Sequence, residues 1–388
     1  MDTIYFDNAA TSFPKAPGVG SAMAELLEHG AFNVGRGGYE GAYLLSARVL
    51  DTRERLARLL GVPEDGSVCF TAGVTAALNQ FLKGTLHPGD HVIVSSMEHN
   101  AVMRPLRTLE RGGVAVSTAP CNADGTLDPQ RVRDLFRPNT RAVVCTHASN
   151  VCGTLLPVEE IGRLCRERQL RFAVDAAQTA GIFPIDMAKM HIDFLAFPGH
   201  KGLRGPQGVG GFAVSAALAA EMLPLIEGGT GSRSDSELQP EFLPDRFESG
   251  TLPLPAIIGL RQALTELEKT GTEPLLARER QLTEQFLRGL AELPGCRVAG
   301  IADPGRMEER LGVVSVDFSP ADNAMAAFLL EQRAGIMTRV GLHCAPAAHK
   351  TLGTFPQGTV RFSFGPENTP EEVRQCLGCL HDILKKEI

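Results

Sequence analysis

Phe197-Pro198-Gly199-His200-Lys201, running straight into Gly202-Leu203-Arg204-Gly205-Pro206-Gln207-Gly208-Val209-Gly210, is the most informative stretch of this chain. The run that leads into it, Asp193-Phe194-Leu195-Ala196-Phe197, is almost continuously apolar, as expected of a strand buried on both faces. Lys201 therefore stands at the end of a core strand. Burial disfavours the charged ammonium, so a lysine there is costly unless it is paired or used chemically. The lowered pKa that results is what an amine needs to form a Schiff base. Alone, a lysine in a turn is usually just solvated.

Upstream, Val174-Asp175-Ala176-Ala177-Gln178 closes a second buried run, 171–175. A carboxylate at that strand end can pair with a protonated pyridine nitrogen and turn the ring into an electron sink, although a helix N-cap is its ordinary structural use. Farther upstream, Thr71-Ala72-Gly73-Val74-Thr75 joins a strand to a helix, where free N–H groups and a hydroxyl can cradle a phosphate. The order phosphate loop, aspartate, lysine is more specific than any one of the three. Further apolar runs at 67–71, 91–95 and 141–146 alternate with helical patterns at 75–85, 101–111, 130–136 and 158–168, which predicts an α/β domain on a mostly parallel sheet.

The alternation stops at Gly250-Thr251-Leu252-Pro253-Leu254-Pro255. Amphipathic segments at 256–270 and 273–293, strand-like 313–318 and 359–364, and helical 323–333 and 370–386 predict a smaller α+β unit. The expected division is a large domain over 15–255, and a small domain made of 256–388 with the N-terminal 1–14. The stretch 228–235 reads as a flexible loop, either a lid or a surface connection.

With 388 residues, 43% hydrophobic, 21% charged and a net charge of −7, the chain falls in the ordinary globular range and has no electrostatic reason to bind nucleic acid. No apolar run approaches the roughly 20 residues that span a bilayer, and residues 1–7 lack signal-peptide character. The expectation is a cytoplasmic protein with small-molecule or protein partners and neither membrane nor metal. Nine scattered cysteines suit a reducing compartment. Cys69 and Cys145 read as small buried hydrophobes, and Cys376-Leu377-Gly378-Cys379 as helix packing without a metal-binding second pair. Cys344, in Arg339-Val340-Gly341-Leu342-His343-Cys344-Ala345, differs: His343 and Arg339 nearby would favour its thiolate. Arg361 carries the planar fork that suits a carboxylate.

Together these motifs resemble the class V aminotransferase family of fold-type I pyridoxal-5′-phosphate (PLP) enzymes, and most closely its cysteine desulfurase and selenocysteine lyase branch. The short spacing from Cys344 to Arg361 is similar to that of the group II desulfurases. The likeness extends from Tyr5-Phe6-Asp7-Asn8-Ala9-Ala10-Thr11 to Arg361. It implies a fold-type I α/β architecture in which Lys201 holds the cofactor, Asp175 pairs with the pyridine nitrogen, Gln178 meets the ring hydroxyl and His99 stacks on the ring. Val74, Thr75 and His200 would hold the phosphate, and Thr251 would reach the cofactor of a second subunit, which implies a homodimer. Arg361 would bind the substrate α-carboxylate with Asn150 assisting and Arg339 beside them, and Cys344 would accept sulfur or selenium from cysteine or selenocysteine, for delivery to an acceptor protein. An aminotransferase, another PLP lyase, or a PLP-binding scaffold of low turnover are the alternatives on the same fold. Three positions depart from the family pattern: Gly35-Arg36 where relatives often have His-Arg, Pro198 where a serine is frequent, and Val74 in place of a threonine. The last two remove hydroxyls from the phosphate site.

Overall fold

The computed structural model describes residues 3–35 and 37–386, so Arg36 lies outside the described residues. A short strand β1 (Ile4–Tyr5) and helices α1 (Val19–His29) and α2 (Glu40–Leu59) lead to β2 (Ser67–Thr71) and α3 (Val74–Thr85). Next come β3 (His91–Ser95), α4 (Asn100–Arg111), β4 (Ala115–Ala119), α5 (Pro129–Arg133), β5 (Thr140–Thr146) and α6 (Val158–Glu167). Strands β6 (Arg171–Asp175), β7 (Phe194–Pro198) and β8 (Gly210–Val214) and the short α7 (Ala216–Glu221) complete this part.

These strands form one seven-stranded sheet in the order β2-β8-β7-β6-β5-β3-β4. Neighbours from β4 through β7 are parallel, whereas β8 runs antiparallel to both β7 and β2. Every residue of β3, β7 and β8 is buried, as a sheet covered on both faces requires. The sequence did not reveal β4, whose residues alternate without a continuous apolar run, nor β8, which starts inside the glycine-rich stretch. The glycines of β8 are a packing requirement. A Cβ at Gly210 would sit 2.6 Å from the Phe197 carbonyl oxygen and 2.9 Å from Gly73 Cα, and one at Gly211 would lie 2.3 Å from the Cys69 carbonyl oxygen.

Helices α8 (Leu254–Thr270) and α9 (Thr272–Ala291) follow, then β9 (Arg297–Ala299), a 3-10 turn (Pro304–Glu309) and β10 (Val313–Asp317). The chain continues through α10 (Asn323–Ala334), β11 (Ile336–Met337), β12 (Arg339–Gly341), α11 (Pro346–Thr351), β13 (Thr359–Ser363) and α12 (Pro370–Lys386). Strands β12-β13-β10-β9 make an antiparallel sheet. Its core joins Phe286 of α9 and Cys376 of α12 to Phe318, Phe362 and Phe364, so the first cysteine of the CxxC is a packing residue. β1 pairs with β11 in parallel, which brings the N-terminus to this smaller unit. Helix α8 buries Leu254, Ile257, Leu260 and Leu264 in the same core as Leu45, Val49 and Leu56 of α2, so its packing lies with the large sheet, on the far side of the boundary expected at 255. Among the described residues no helix is long and apolar enough to cross a membrane.

Candidate active site

Parallel pairing aligns the carboxyl ends of β3, β5, β6 and β7 at one edge of the sheet, where open α/β folds bind ligands. Thr146 is opposite Asp175, and Asp175 opposite Ala196. His99, Asn150 and Lys201 follow these strand ends, and Asp175 closes β6. Because β8 is antiparallel, Gly210 faces both Pro198 and Thr71, and the Thr71–Thr75 turn is drawn to the same edge.

Burial pushes the Lys201 amine down to about 8, against the opposing pull of the Asp175 carboxylate. Asp175 is itself buried, and that burial raises its pKa. One of its oxygens accepts the Ala177 N–H at 2.9 Å, the capping geometry; the other accepts no hydrogen bond among the described residues. Gln178 donates through Nε2 to the Ala9 carbonyl at 3.2 Å, which leaves its amide oxygen for another partner. His99 is the N-cap of α4: its Nδ1 accepts the Ala101 N–H at 3.0 Å. Burial, with the charge of Lys201, brings the ring to about 4, so it is neutral at physiological pH. His200 contacts Thr11 Oγ1 through Nδ1 at 3.1 Å and is likewise lowered to about 4 by burial. Helix α3 begins at Gly73 without a side-chain cap, so the amides of its first turn, at Val74 and Thr75, have no intrahelical acceptor. Thr251 is exposed in the segment before α8.

Cys344 lies between β12 and α11 and is the exposed member of the nine cysteines; the other eight are buried or half-buried. His343 and Cys344 both have positive φ, 47° and 59°, a conformation uncommon for non-glycine residues. Contacts from elsewhere hold this turn. Asn150 Nδ2 donates to the His343 carbonyl at 2.7 Å, and the Asn100 N–H donates to the Cys344 carbonyl at 2.8 Å. Asn100 opens α4 directly after His99, so the ring expected to stack on the cofactor and the expected sulfur acceptor share one anchor.

One sequence expectation changes here. His343 does not supply positive charge to the thiol: its ring is buried, Nε2 contacts Thr359 Oγ1 at 3.1 Å, and burial with the nearby Arg361 lowers it to about 2. Asn150 Nδ2 donates to the Cys344 turn, and Arg361 Nη1 donates to the Asn150 carbonyl at 3.0 Å. Arg339 is gripped by Asp7.

Asp7, Glu98 and Arg310 were not singled out from the sequence. Asp7 belongs to the opening motif and Glu98 precedes His99, so both lay inside quoted segments; Arg310 had no local signal. Asp7 also accepts from Arg361 Nη2 at 2.9 Å. Glu98 accepts from the Ser95 hydroxyl and, at 2.9 Å, from the Thr146 N–H, tying the end of β3 to that of β5.

The sequence model of the family Aminotransferase class-V matches residues 4–376. The chain belongs to the class-V aminotransferase family. Among relatives within it, a probable cysteine desulfurase of Methanothermobacter thermautotrophicus is 33% identical over 381 residues, 97% of this chain and 93% of that protein. The cysteine desulfurase CsdA of Escherichia coli is 32% identical over 377 residues, 95% and 91% of the two chains. In structure, this class-V aminotransferase family member is similar to the apo cysteine desulfurase of Thermococcus onnurineus NA1, with a TM-score of 0.91 and 31% identity over 99% of this chain and 95% of that one. Escherichia coli CsdA, in its S-sulfonic acid form, matches at a TM-score of 0.88 and 30% identity over the same shares.

Proposed function

We propose that this protein is a PLP-dependent cysteine desulfurase: it converts L-cysteine, or L-selenocysteine, to L-alanine and keeps the sulfur or selenium on Cys344. The observation that carries this reading is the exposed Cys344, held in a left-handed turn by Asn150 and Asn100 beside His99. The residues fit PLP. Lys201 offers an amine of lowered pKa, Asp175 a buried carboxylate with an open oxygen, His99 a neutral ring, and the start of α3 free amides for a phosphate, with His200, Gln178, Val74 and Thr75 around them. When bound, PLP supplies the electron sink that labilises bonds at the substrate α-carbon.

An amine titrating near 8 is partly neutral at pH 7, so Lys201 can take the α-proton and return one. Arg361 holds the α-carboxylate; its Nε is buried with no hydrogen-bond partner among the described residues, a cost that a bound carboxylate relieves. The Cys344 thiolate forms a sulfur–sulfur bond as the carbon–sulfur bond of the substrate breaks. The electron pair of that bond stays with the carbon skeleton, which is protonated and leaves as alanine. Exposed Leu27, Tyr43 and Leu44 on the N-terminal helices, with Leu238 and Phe242 ahead of Thr251, support a homodimer in which Thr251 reaches the other subunit. An acceptor protein then collects the persulfide sulfur, in a cytoplasmic setting that keeps the free thiols reduced.

The test is alanine production from L-cysteine, with sulfide released by a thiol reductant that reduces the persulfide, by the PLP-loaded protein and by its Cys344→Ala variant. The variant is expected to keep the cofactor absorption band and to lose nearly all desulfuration, while retaining part of the activity on L-selenocysteine, whose carbon–selenium bond is weaker. Desulfuration of cysteine by Cys344→Ala at the parent rate would overturn the persulfide reading.

A further inference from the structure

Lys15 is half-buried, and its ammonium donates to three neutral oxygens: Thr11 Oγ1 at 2.9 Å, the His200 carbonyl at 3.0 Å and Ser12 Oγ at 3.3 Å. It pairs with no carboxylate among the described residues, and the nearby Arg204 is engaged by Glu367. Burial and the charge of Arg204 lower the amine to about 8, so it is still mostly cationic at pH 7. A half-buried cation without a counter-charge is costly, and an anion bound close by offsets that cost.

The His200 carbonyl has more donors than it can accept. The Ser12 N–H and Lys15 Nζ each donate to it at 3.0 Å, and the Ser12 and Thr11 hydroxyl oxygens both lie 3.1 Å away. A carbonyl oxygen has two lone pairs, and an amide and an ammonium can only donate, so those two fill it. Thr11 Oγ1 is also 3.1 Å from His200 Nδ1. With its oxygen accepting from Lys15 and the carbonyl filled, the Thr11 hydroxyl gives its one proton to Nδ1. The ring is neutral at pH 7, because burial, Lys201 and Lys15 lower it to about 4. A neutral imidazole that accepts at Nδ1 carries its proton on Nε2. Nε2 makes no hydrogen bond among the described residues. His200 stands two residues past Pro198, which faces Gly210, itself opposite Thr71 of the turn whose free amides open α3.

We propose that Lys15 and Thr11 are positioning residues for the cofactor phosphate: the chain Lys15, Thr11, His200 orients the imidazole and keeps its proton on Nε2, so that His200 meets the phosphate as a donor. This rests on the PLP reading of the site. It brings the N-terminal segment into phosphate binding and secures a donor where Val74 and Pro198 carry no hydroxyl.

Nitrogen NMR of the holoenzyme labelled with 15N-histidine, its His200 signals assigned by comparison with His200→Gln, is expected to show a protonated Nε2 and a bare Nδ1. A proton on Nδ1 overturns the proposal. Absorbance titrations of apoprotein prepared from the holoenzyme then compare PLP with pyridoxal, which lacks the phosphate. Lys15→Met opens a carbonyl lone pair to the Thr11 hydroxyl and removes the charge; Thr11→Val cuts the chain and keeps the charge. Each is expected to raise the Kd for PLP at least about fivefold and that for pyridoxal by less than about twofold. A purely structural role would weaken both ligands together. Thr11→Val with the parent affinity for PLP would show that Lys15 acts through charge alone and would overturn the chain. Either variant suffices if the other does not fold, and the tautomer is read on the parent protein. A parent protein that forms no cofactor band would instead overturn the PLP reading itself.

Discussion

Glu98 is enclosed between the ends of β3 and β5, with hydrogen bonds to Oε1 and, among the described residues, no partner for Oε2. Burial raises its pKa to about 8, so the folded protein holds a proton there at neutral pH. The unfolded chain releases that proton near the ordinary carboxyl value of about 4.3. Between these two values the folded state binds more protons than the unfolded one, and stability falls as pH rises through the window. Below it both states are protonated and the penalty vanishes; above it the buried charge is fully paid for. Glu98→Gln, neutral at every pH, is expected to match the parent below about pH 4 and to exceed it increasingly above that, by about 4–5 kcal/mol at pH 8. Urea unfolding of both proteins from about pH 4 to 8.5 checks this, and a difference independent of pH would show that Glu98 is ionised throughout. The same residue scale explains Lys201 and Asp175, whose shifts also begin with desolvation.

Arg310 shows how one side chain joins elements. It is fully buried, and its guanidinium donates to four carbonyls: to Ile301, to Val313 at 2.6 Å, to Cys152 at 3.2 Å and to Leu311 at 3.4 Å. The Ser149–Gly153 turn that carries Asn150 is thereby sewn to β9 and β10, and through Asn150 to the Cys344 turn. Arg310→Met removes these donors from the four carbonyls in a buried setting. The expected cost is about 3–5 kcal/mol in urea unfolding. A rise in KM for cysteine should accompany it, with the cofactor band intact, because the anchor of Asn150 loosens while Lys201 and Asp175 keep theirs. Wild-type stability and KM in this variant would mean that the turn is held by other contacts.

Across the whole molecule the apolar surface is unevenly spread. Tyr43, Leu44 and Leu50 of α2 are 65%, 56% and 54% exposed, and Ile226 and Leu238 in the segment that leads to Thr251 reach 71% and 81%. Exposed side chains of this size support the proposed dimer. With Thr251 expected to complete the neighbour's cofactor site, assembly and activity should be lost together. Tyr43→Glu combined with Leu44→Glu is expected to sediment as a monomer and to lose at least about tenfold in activity, since a charge in an apolar interface costs more than a tenfold factor in association. Sedimentation velocity and alanine release measured on the same sample check this, and a fully active monomer would refute it.

Lys201, Asp175 and the Thr71–Thr75 junction were legible because each stands at the end of a run whose own composition makes a buried strand, and the chemistry of a strand end follows from its neighbours in the chain. The strands at 67–71, 91–95 and 171–175 and the helix at 370–386 emerged with those bounds for the same local reason. What the sequence could not determine depends on contacts between distant segments. Asp7 meets Arg339 and Arg361 across 332 and 354 residues, and these contacts exist only once β1 docks on β11 and β12 pairs with β13. His343 shares a loop with Cys344, which made it look like a charge donor, yet the left-handed turn carries its ring inward to Thr359, where desolvation keeps it neutral. Residue type and order therefore determined which groups could do the chemistry. Tertiary structure decided which of them carry charge, because charge depends on burial and on partners, and both are set by how the folded segments meet.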